Sequence, residues 1–113
     1  MPDECVVVRG GVMAVRDLVV SALRCYDDHG FFAWSFWARP GATADEIARD
    51  APFPHPRFRE STAGRLRAAG FEPEIDHIEP GDDHIQVRLQ DEPDEPLCER
   101  LRDAFDPERP RPE

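Results

Sequence analysis

Apolar and polar positions alternate along the first third of this chain in a pattern that predicts a strand, a helix and a second strand. Residues 6–8 are three valines, a β-branched run typical of a short buried strand. Apolar residues then recur at helical spacing over about residues 14–27, which indicates an amphipathic helix. Residues 31–38 read FFAWSFWA and are apolar on both alternating faces. We therefore expect this second strand to be central in a sheet that is covered on both sides.

Capping residues, prolines and turn residues divide the rest of the chain into shorter elements. The predicted elements are, in order, a helix over 43–49 that opens with a capping box, a stiff proline-rich loop over 51–56, a helix over 61–69, hairpin strands over 74–79 and 83–89, and a last helix that begins after Asp94. The order β-α-β-α-α-β-β-α predicts one small α+β domain over residues 1–105, with about four strands in mixed pairing and three to four helices. Residues 106–113 are rich in proline, arginine and glutamate, and we expect them to form a disordered tail.

The charge of the chain is distributed unevenly and sums to −10. Residues 1–71 carry nine acids and nine arginines, whereas residues 72–113 carry fifteen acids and five arginines. Because attraction to phosphates dominates nucleic-acid affinity, this acidity argues against general nucleic-acid binding. All 14 basic residues are arginines, so any cationic site is built from guanidinium groups, which suit carboxylate or phosphate.

The composition also predicts a cytoplasmic protein with no membrane segment, metal or cofactor. No apolar run approaches the roughly 20 residues that span a bilayer, and the acidic N-terminus lacks the basic region of a signal peptide. The three cysteines are far apart in the sequence and none is in a C-x-x-C pair, which argues against a disulfide framework and a zinc ribbon.

Arg9, Gly10 and Gly11 follow the first strand and are the candidate ligand-binding residues. An arginine at a strand end beside two glycines is well placed to hold an anion, for example the phosphate of a nucleotide. The same arginine is equally well placed for a structural ion pair, and the sequence leaves both interpretations open.

The candidate catalytic residues are Arg9, Ser35, His77 and His84. With a turn over residues 80–83, the predicted hairpin pairs His77 with Gln86 and brings both histidines to its polar face. Histidine titrates near neutrality, so this face could supply a general acid or base. An exposed polar face without chemistry explains the same pattern, and Ser35 could equally be a buried hydroxyl with one backbone partner.

Two groups of residues are candidates for a protein interface. Trp34 and Trp37 are the candidate aromatic anchors, provided that they are exposed. The cationic candidates are Arg57, Arg59, Arg65 and Arg67, which predict a basic patch. The acidic stretch 91–95 is either a solvated linker or a segment that docks on a basic surface.

Four features follow one another along the chain: VVVRGG, an aromatic strand with a serine, STAGRLRAAGF, and a histidine that opens a final strand. In this order of features the chain resembles a family of short, uncharacterised proteins from high-GC bacteria over about residues 6–105. A strand that ends in Arg9-Gly10, followed by a helix and a strand with Ser35, is also similar to ADP-ribosyltransferase-like toxins. That second resemblance implies that the arginine and the serine position a nicotinamide dinucleotide and that a later acid is catalytic. Trp34-Ser35-Phe36 stands where those toxins have Ser-Thr-Ser.

Two functions are therefore expected. The first is a small cytoplasmic interaction or regulatory domain that binds a protein partner. This hypothesis follows from the charge asymmetry, the absence of a catalytic motif, and an aromatic content that predicts an exposed apolar patch. The alternative is a toxin-type enzyme, of the kind found in toxin–antitoxin systems, that acts on a nucleotide or dinucleotide through Arg9 and a hairpin histidine.

Overall fold

The computed structural model of the protein describes residues 1–75 and 83–113, and in those residues six strands pair in one sheet. The elements are β1 (Val6–Gly10), α1 (Val15–His29), β2 (Phe32–Ala38), α2 (Ala44–Asp50), β3 (Arg57–Thr62), α3 (Ala63–Ala68), β4 (Pro73–Ile75), β5 (His84–Leu89), α4 (Glu95–Asp103) and β6 (Arg109–Pro110). The strand order is β4-β5-β2-β1-β3-β6. The radius of gyration of 12.9 Å matches the ~13 Å of one compact domain of this size. The predicted single α+β domain is therefore confirmed.

The pairing of the strands differs from the prediction. We expected about four strands in mixed pairing, but every pairing among the described residues is antiparallel. The helix α1 connects the neighbouring strands β1 and β2, and α2 connects β2 to β3, which lies on the other side of β1. The strand β1 therefore lies between β2 and β3 and is antiparallel to both.

Both faces of the sheet carry a hydrophobic core, as the two-sided apolar pattern of β2 predicts. Val7 belongs to one cluster and Val8 to the other, because successive side chains of a strand point to opposite faces. The first cluster includes Leu18, Ala22, Trp34, Phe36 and Leu101, which fill the space beneath α1 and α4. The second includes Ile47, Ala48, Phe53 and Phe58, which fill the space beneath α2.

The helix boundaries agree with the capping signals in the sequence. The Thr43 side chain accepts from the backbone N–H of Glu46, and the Glu46 carboxylate accepts from the backbone N–H of Thr43, so the capping box is present. Asp94 caps α4 through a 2.9 Å bond from the N–H of Leu97. Gly30 ends α1 with φ +83°, a conformation that glycine adopts without strain.

The strand β3 is absent from the prediction, which places a loop and then a helix at this position. Phe58 is buried on one face of β3, and Ser61 is buried on the other, where its hydroxyl donates to the carbonyl of Ala104 at 2.6 Å. The inward positions on the Ser61 face are thus polar, so the alternation of apolar and polar residues does not reveal the strand. The helix α3 begins only at Ala63, with Thr62 as its N-cap.

The C-terminal segment is ordered, in contrast to the predicted tail. Residues 109–110 form β6 and pair with β3. The Arg111 guanidinium donates to the backbone carbonyl of Ala48 at 2.6 Å and also to the carbonyls of Ala51 and Phe53. A proline-rich composition predicts disorder only when nothing binds the segment. Here the segment is held because Arg111 donates to three carbonyls at the end of α2.

The predicted hairpin also has a different register. Gln86 pairs with Glu74 in β4 and with Ser35 in β2, not with His77. On this side of β5 Gln86 is buried and His84 is half-buried, so the predicted polar face is exposed only at Arg88. His77 lies outside the described residues.

We expect that deleting residues 107–113 lowers the free energy of unfolding by about 2 kcal/mol or more, because three carbonyls lose the donor Arg111 and β3 loses its outer partner. Urea denaturation followed by circular dichroism measures the change. Arg111→Lys tests the contribution of the guanidinium group itself. Lysine keeps the charge but has no planar fork to reach several carbonyls, so this variant should lose most of the same stability. An unchanged denaturation midpoint in the deletion variant would show that the segment is not held.

Candidate functional site

The strands β1 and β2 separate just before the candidate ligand-binding residues. They pair only at Val7 with Ala38 and at Val8 with Trp37, whereas β1 continues to pair with β3 as far as Gly10. Beyond Val8 the backbone of β1 no longer pairs with β2, and a hydrogen bond from the Arg9 side chain connects the two strands instead. Its Nη1 donates to the backbone carbonyl of Ser35 at 2.8 Å. The first candidate arginine is thus part of the sheet and part of the site.

Most of the hydrogen-bonding capacity of Arg9 is not used by the described residues. Its Nε is sealed from solvent and has no hydrogen-bond partner there, and its guanidinium carbon lies 5.5 Å from the centre of the Phe36 ring. Burial lowers the pKa of Arg9 to about 10, and the nearby Asp17 carboxylate opposes that shift. A guanidinium at this pKa is still protonated at neutral pH, so the site holds a positive charge that is poorly solvated.

Arg9 lies in the wall of a groove of about 870 Å³ between α1, the end of β1 and the start of β3. We call it the arginine groove, because its charged lining comprises Arg9, Arg16, Arg24 and Arg57, with Asp17 and Glu108 as the carboxylates. Glu108 pairs with Arg57 at 3.2 Å. Cations therefore outnumber anions in this groove, although the whole chain has a net charge of −10.

Gly10 and Gly11 line the same groove, but their lack of side chains has a structural cause. A Cβ on Gly10 would overlap the Phe53 ring. Gly11 has φ +85°, and a Cβ there would lie 3.0 Å from the His55 ring. The Gly11 N–H donates to the carbonyl of Arg57 at 2.9 Å, so it is already used within the fold.

A second arginine stands directly beside Arg9. Arg59 in β3 is the cross-strand partner of Arg9, so their side chains emerge on the same face of the sheet. The Nε of Arg59 is also sealed from solvent without a hydrogen-bond partner among the described residues. Arg57 is two residues away on the same strand face and lines the groove. Like charges opposite each other in a sheet destabilise it, so this arrangement is costly without an anion.

Ser35 and His84 line a smaller cavity of about 240 Å³, which adjoins the arginine groove. The two cavities share Ser21 and Arg24 of α1. The His84 ring packs against Trp37 with their centroids 5.5 Å apart. Three of the four candidate catalytic residues thus line two adjoining cavities, Arg9 in one and Ser35 and His84 in the other. The fourth, His77, lies outside the described residues.

The aromatic anchor residues are not exposed. Trp34 is completely buried, and its indole N–H donates to the carbonyl of Leu18 at 2.8 Å. Trp37 is only partly exposed and packs against Phe53. The two tryptophans are therefore not exposed anchors, because the cores on the two faces of the sheet absorb Trp34 completely and Trp37 in part. Most of the large hydrophobic residues that are exposed lie on or beside α1, among them Val12 and Val20 in the arginine groove.

The predicted basic patch is largely neutralised. Arg65 pairs with Asp106 at 2.9 Å. Arg67 pairs with Asp3 at 2.6 Å and with Glu72 at 3.0 Å. Of the four predicted arginines, only Arg57 lines the groove, and Arg59 adjoins it as the cross-strand neighbour of Arg9. The groove arginines that the sequence analysis missed are Arg16 and Arg24. Asp17, Ser21 and Arg24 recur at i, i+4 and i+7, which is a signal for a polar face of α1.

Within residues 1–75 and 83–113, no cluster of three His, Cys, Asp or Glu side chains could hold a metal ion. Nor is any helix of that part of the chain long and apolar enough to cross a membrane. Comparisons with protein-family models, with curated proteins and with solved structures found no match to this chain.

We expect Arg9→Met to leave the free energy of unfolding unchanged within about 1 kcal/mol, or to raise it. The folded protein holds the Arg9 proton less readily than the unfolded chain does, so the charge reduces stability at every pH below about 10. This loss of stability disappears only as the pH rises above about 10, where the folded protein releases the Arg9 proton. Loss of the bond to Ser35 offsets part of the gain. Urea denaturation at pH 7 is the measurement, and a loss above about 2 kcal/mol would show that Arg9 is retained for stability.

Proposed function

We propose that this protein is an interaction domain and that the arginine groove binds an acidic segment of a protein partner. The observation that carries the proposal is the lining of the groove, where four arginines and two exposed valines face the same open space. The arginines suit carboxylate or phosphate groups, and the valines offer apolar contact between them.

The dimensions of the groove support a peptide ligand. Its wall on α1 extends from Ala14 to Arg24. At 1.5 Å per residue this is about 15 Å of helix, the length of about five residues of extended chain. Val12 and Val20 are 60% and 42% exposed, which is unusual for large apolar residues beside a groove unless they contact a ligand.

The charge of the rest of the molecule supports selectivity for an acidic partner. A net charge of −10 repels acidic chains in general, while the local excess of arginine attracts them at one place. Such complementarity guides a partner into one orientation and speeds its association. Arg16 and Arg24 are exposed on the wall of the groove and are therefore the first contacts in this proposal.

The test is capture of partners from a lysate of the source cells with tagged protein and identification by mass spectrometry. We expect the native protein to retain a stoichiometric partner, and the double variant Arg16→Glu/Arg24→Glu to retain at least tenfold less of it. The matched control is Arg49→Glu/Arg102→Glu on α2 and α4, which changes the net charge equally but leaves the groove intact. Equal capture by the groove variant and the control would overturn the proposal.

A toxin-type enzyme that acts on a nucleotide or dinucleotide is a second candidate. The observation in its favour is that the Arg9 guanidinium contacts the backbone of Ser35, and that Ser35 shares a cavity with His84. In this proposal Arg9 holds a phosphate and His84 is the general acid or base.

Release of nicotinamide from NAD⁺, followed by chromatography, tests this second candidate. We expect release by the native protein, and loss of at least 100-fold in Arg9→Ala and in His84→Ala with an unchanged circular dichroism spectrum. His55→Ala is the matched control, since His55 lines the groove but not the cavity that contains Ser35. Activity that survives both substitutions, or no release by the native protein, would remove this candidate.

A further inference from the structure

We propose that Arg9 and Arg59 together bind one phosphate monoester at the β1–β3 end of the arginine groove. The proposal rests on the proposed function, because it takes the arginine groove to be a binding surface and names the chemical group that enters it most deeply.

The geometry of the pair is the first argument. Arg9 and Arg59 are directly opposite each other in the antiparallel pairing of β1 and β3. Residues in that relation have their Cβ atoms about 5 Å apart, close enough for two guanidinium groups to hold oxygens of one phosphate. Each of the two has an Nε that is sealed from solvent and unpartnered among the described residues.

The balance of charge is the second argument. The ion pairs among the described residues neutralise Arg57, Arg65 and Arg67, but none of them involves Arg9 or Arg59. Two adjacent guanidinium groups without ion pairs carry a charge of about +2, which one phosphate monoester neutralises almost completely at neutral pH. The exposed Asp17 carboxylate near Arg9 offsets part of this charge without forming an ion pair with either arginine among the described residues. A carboxylate neutralises only half of it. The pair therefore favours phosphate over carboxylate.

The start of α1 is the third argument. No side chain caps this fifteen-residue helix, because its N-cap residue is Ala14. Ala14, Arg16 and Asp17 line the groove together with Arg9, so the first turn of α1 and the positive end of its dipole lie along the same open space as the half-buried Arg9. An anion in this position would satisfy those N–H groups as well as the guanidinium donors.

Isothermal titration calorimetry with phenyl phosphate and with benzoate tests the inference. The two probes share the aromatic ring and differ in the anion. We expect phenyl phosphate to bind at least tenfold more tightly than benzoate, and Arg59→Met and Arg9→Met each to weaken phenyl phosphate binding at least tenfold. Arg102→Met on α4 is the control and should leave the affinity unchanged. Arg59→Lys keeps a charge with one compact donor group, so it should show an intermediate loss even if Arg59→Met does not fold.

Adenosine 5′-monophosphate in the same titration distinguishes two sources of the phosphate. A Kd at least tenfold below that of phenyl phosphate identifies a nucleotide, whereas an equal Kd indicates that only the phosphate is recognised, as on a phosphorylated side chain. Equal binding of phenyl phosphate and benzoate, or unchanged binding in Arg59→Met, overturns the inference.

The two proposals fail separately. Loss of partner capture in Arg16→Glu/Arg24→Glu without phosphate binding would leave the acidic-segment proposal standing and remove the phosphate. Phosphate binding that depends on Arg9 and Arg59, together with unchanged partner capture, would support the phosphate inference and remove the acidic-segment proposal.

Discussion

The site depends on one hydrogen bond, from the Arg9 guanidinium to the carbonyl of Ser35. A buried carbonyl that has lost its strand partner must find another donor, and Arg9 supplies it where β1 leaves β2. Where the two strands separate, the arginine groove and the Ser35 cavity adjoin each other along α1, with Ser21 and Arg24 in the lining of both. The same side chain thus supports the sheet and places a poorly solvated charge in the wall of the arginine groove.

The elements that the sequence predicts well are those whose signals are local. The helical spacing of α1, the capping box of α2 and the cap of α4 each involve residues within a few positions of one another, and all are present in the structure. The two-sided apolar pattern of β2 is also local, and it correctly indicates a central strand with a core on each face. Arg9 and the two glycines that follow it line the arginine groove, and their role in ligand binding stays a prediction.

What the sequence does not predict depends on contacts between distant residues. The strand β3 has inward polar side chains, and its Ser61 finds its partner only at Ala104. The order of residues 106–111 comes from carbonyls more than fifty positions earlier. The pairing of Arg9 with Arg59 requires the β1–β3 register, which no residue pattern in either strand specifies. The ion pairs of Arg65 with Asp106 and of Arg67 with Asp3 likewise join residues that are far apart in the sequence, although Arg67 also pairs with the nearby Glu72.

The attachment of Arg111 to the end of α2 also bears on how the protein is made. While residues 109–111 are still inside the ribosome, the outer edge of β3 has no β6 beside it and the carbonyls near Ala51 lack their donor. An open strand edge can pair with another chain, so the nascent domain passes through an interval in which it is vulnerable to aggregation. When residues 109–111 leave the ribosome, β6 covers the open edge of β3 and Arg111 supplies the donor for the carbonyls at the end of α2.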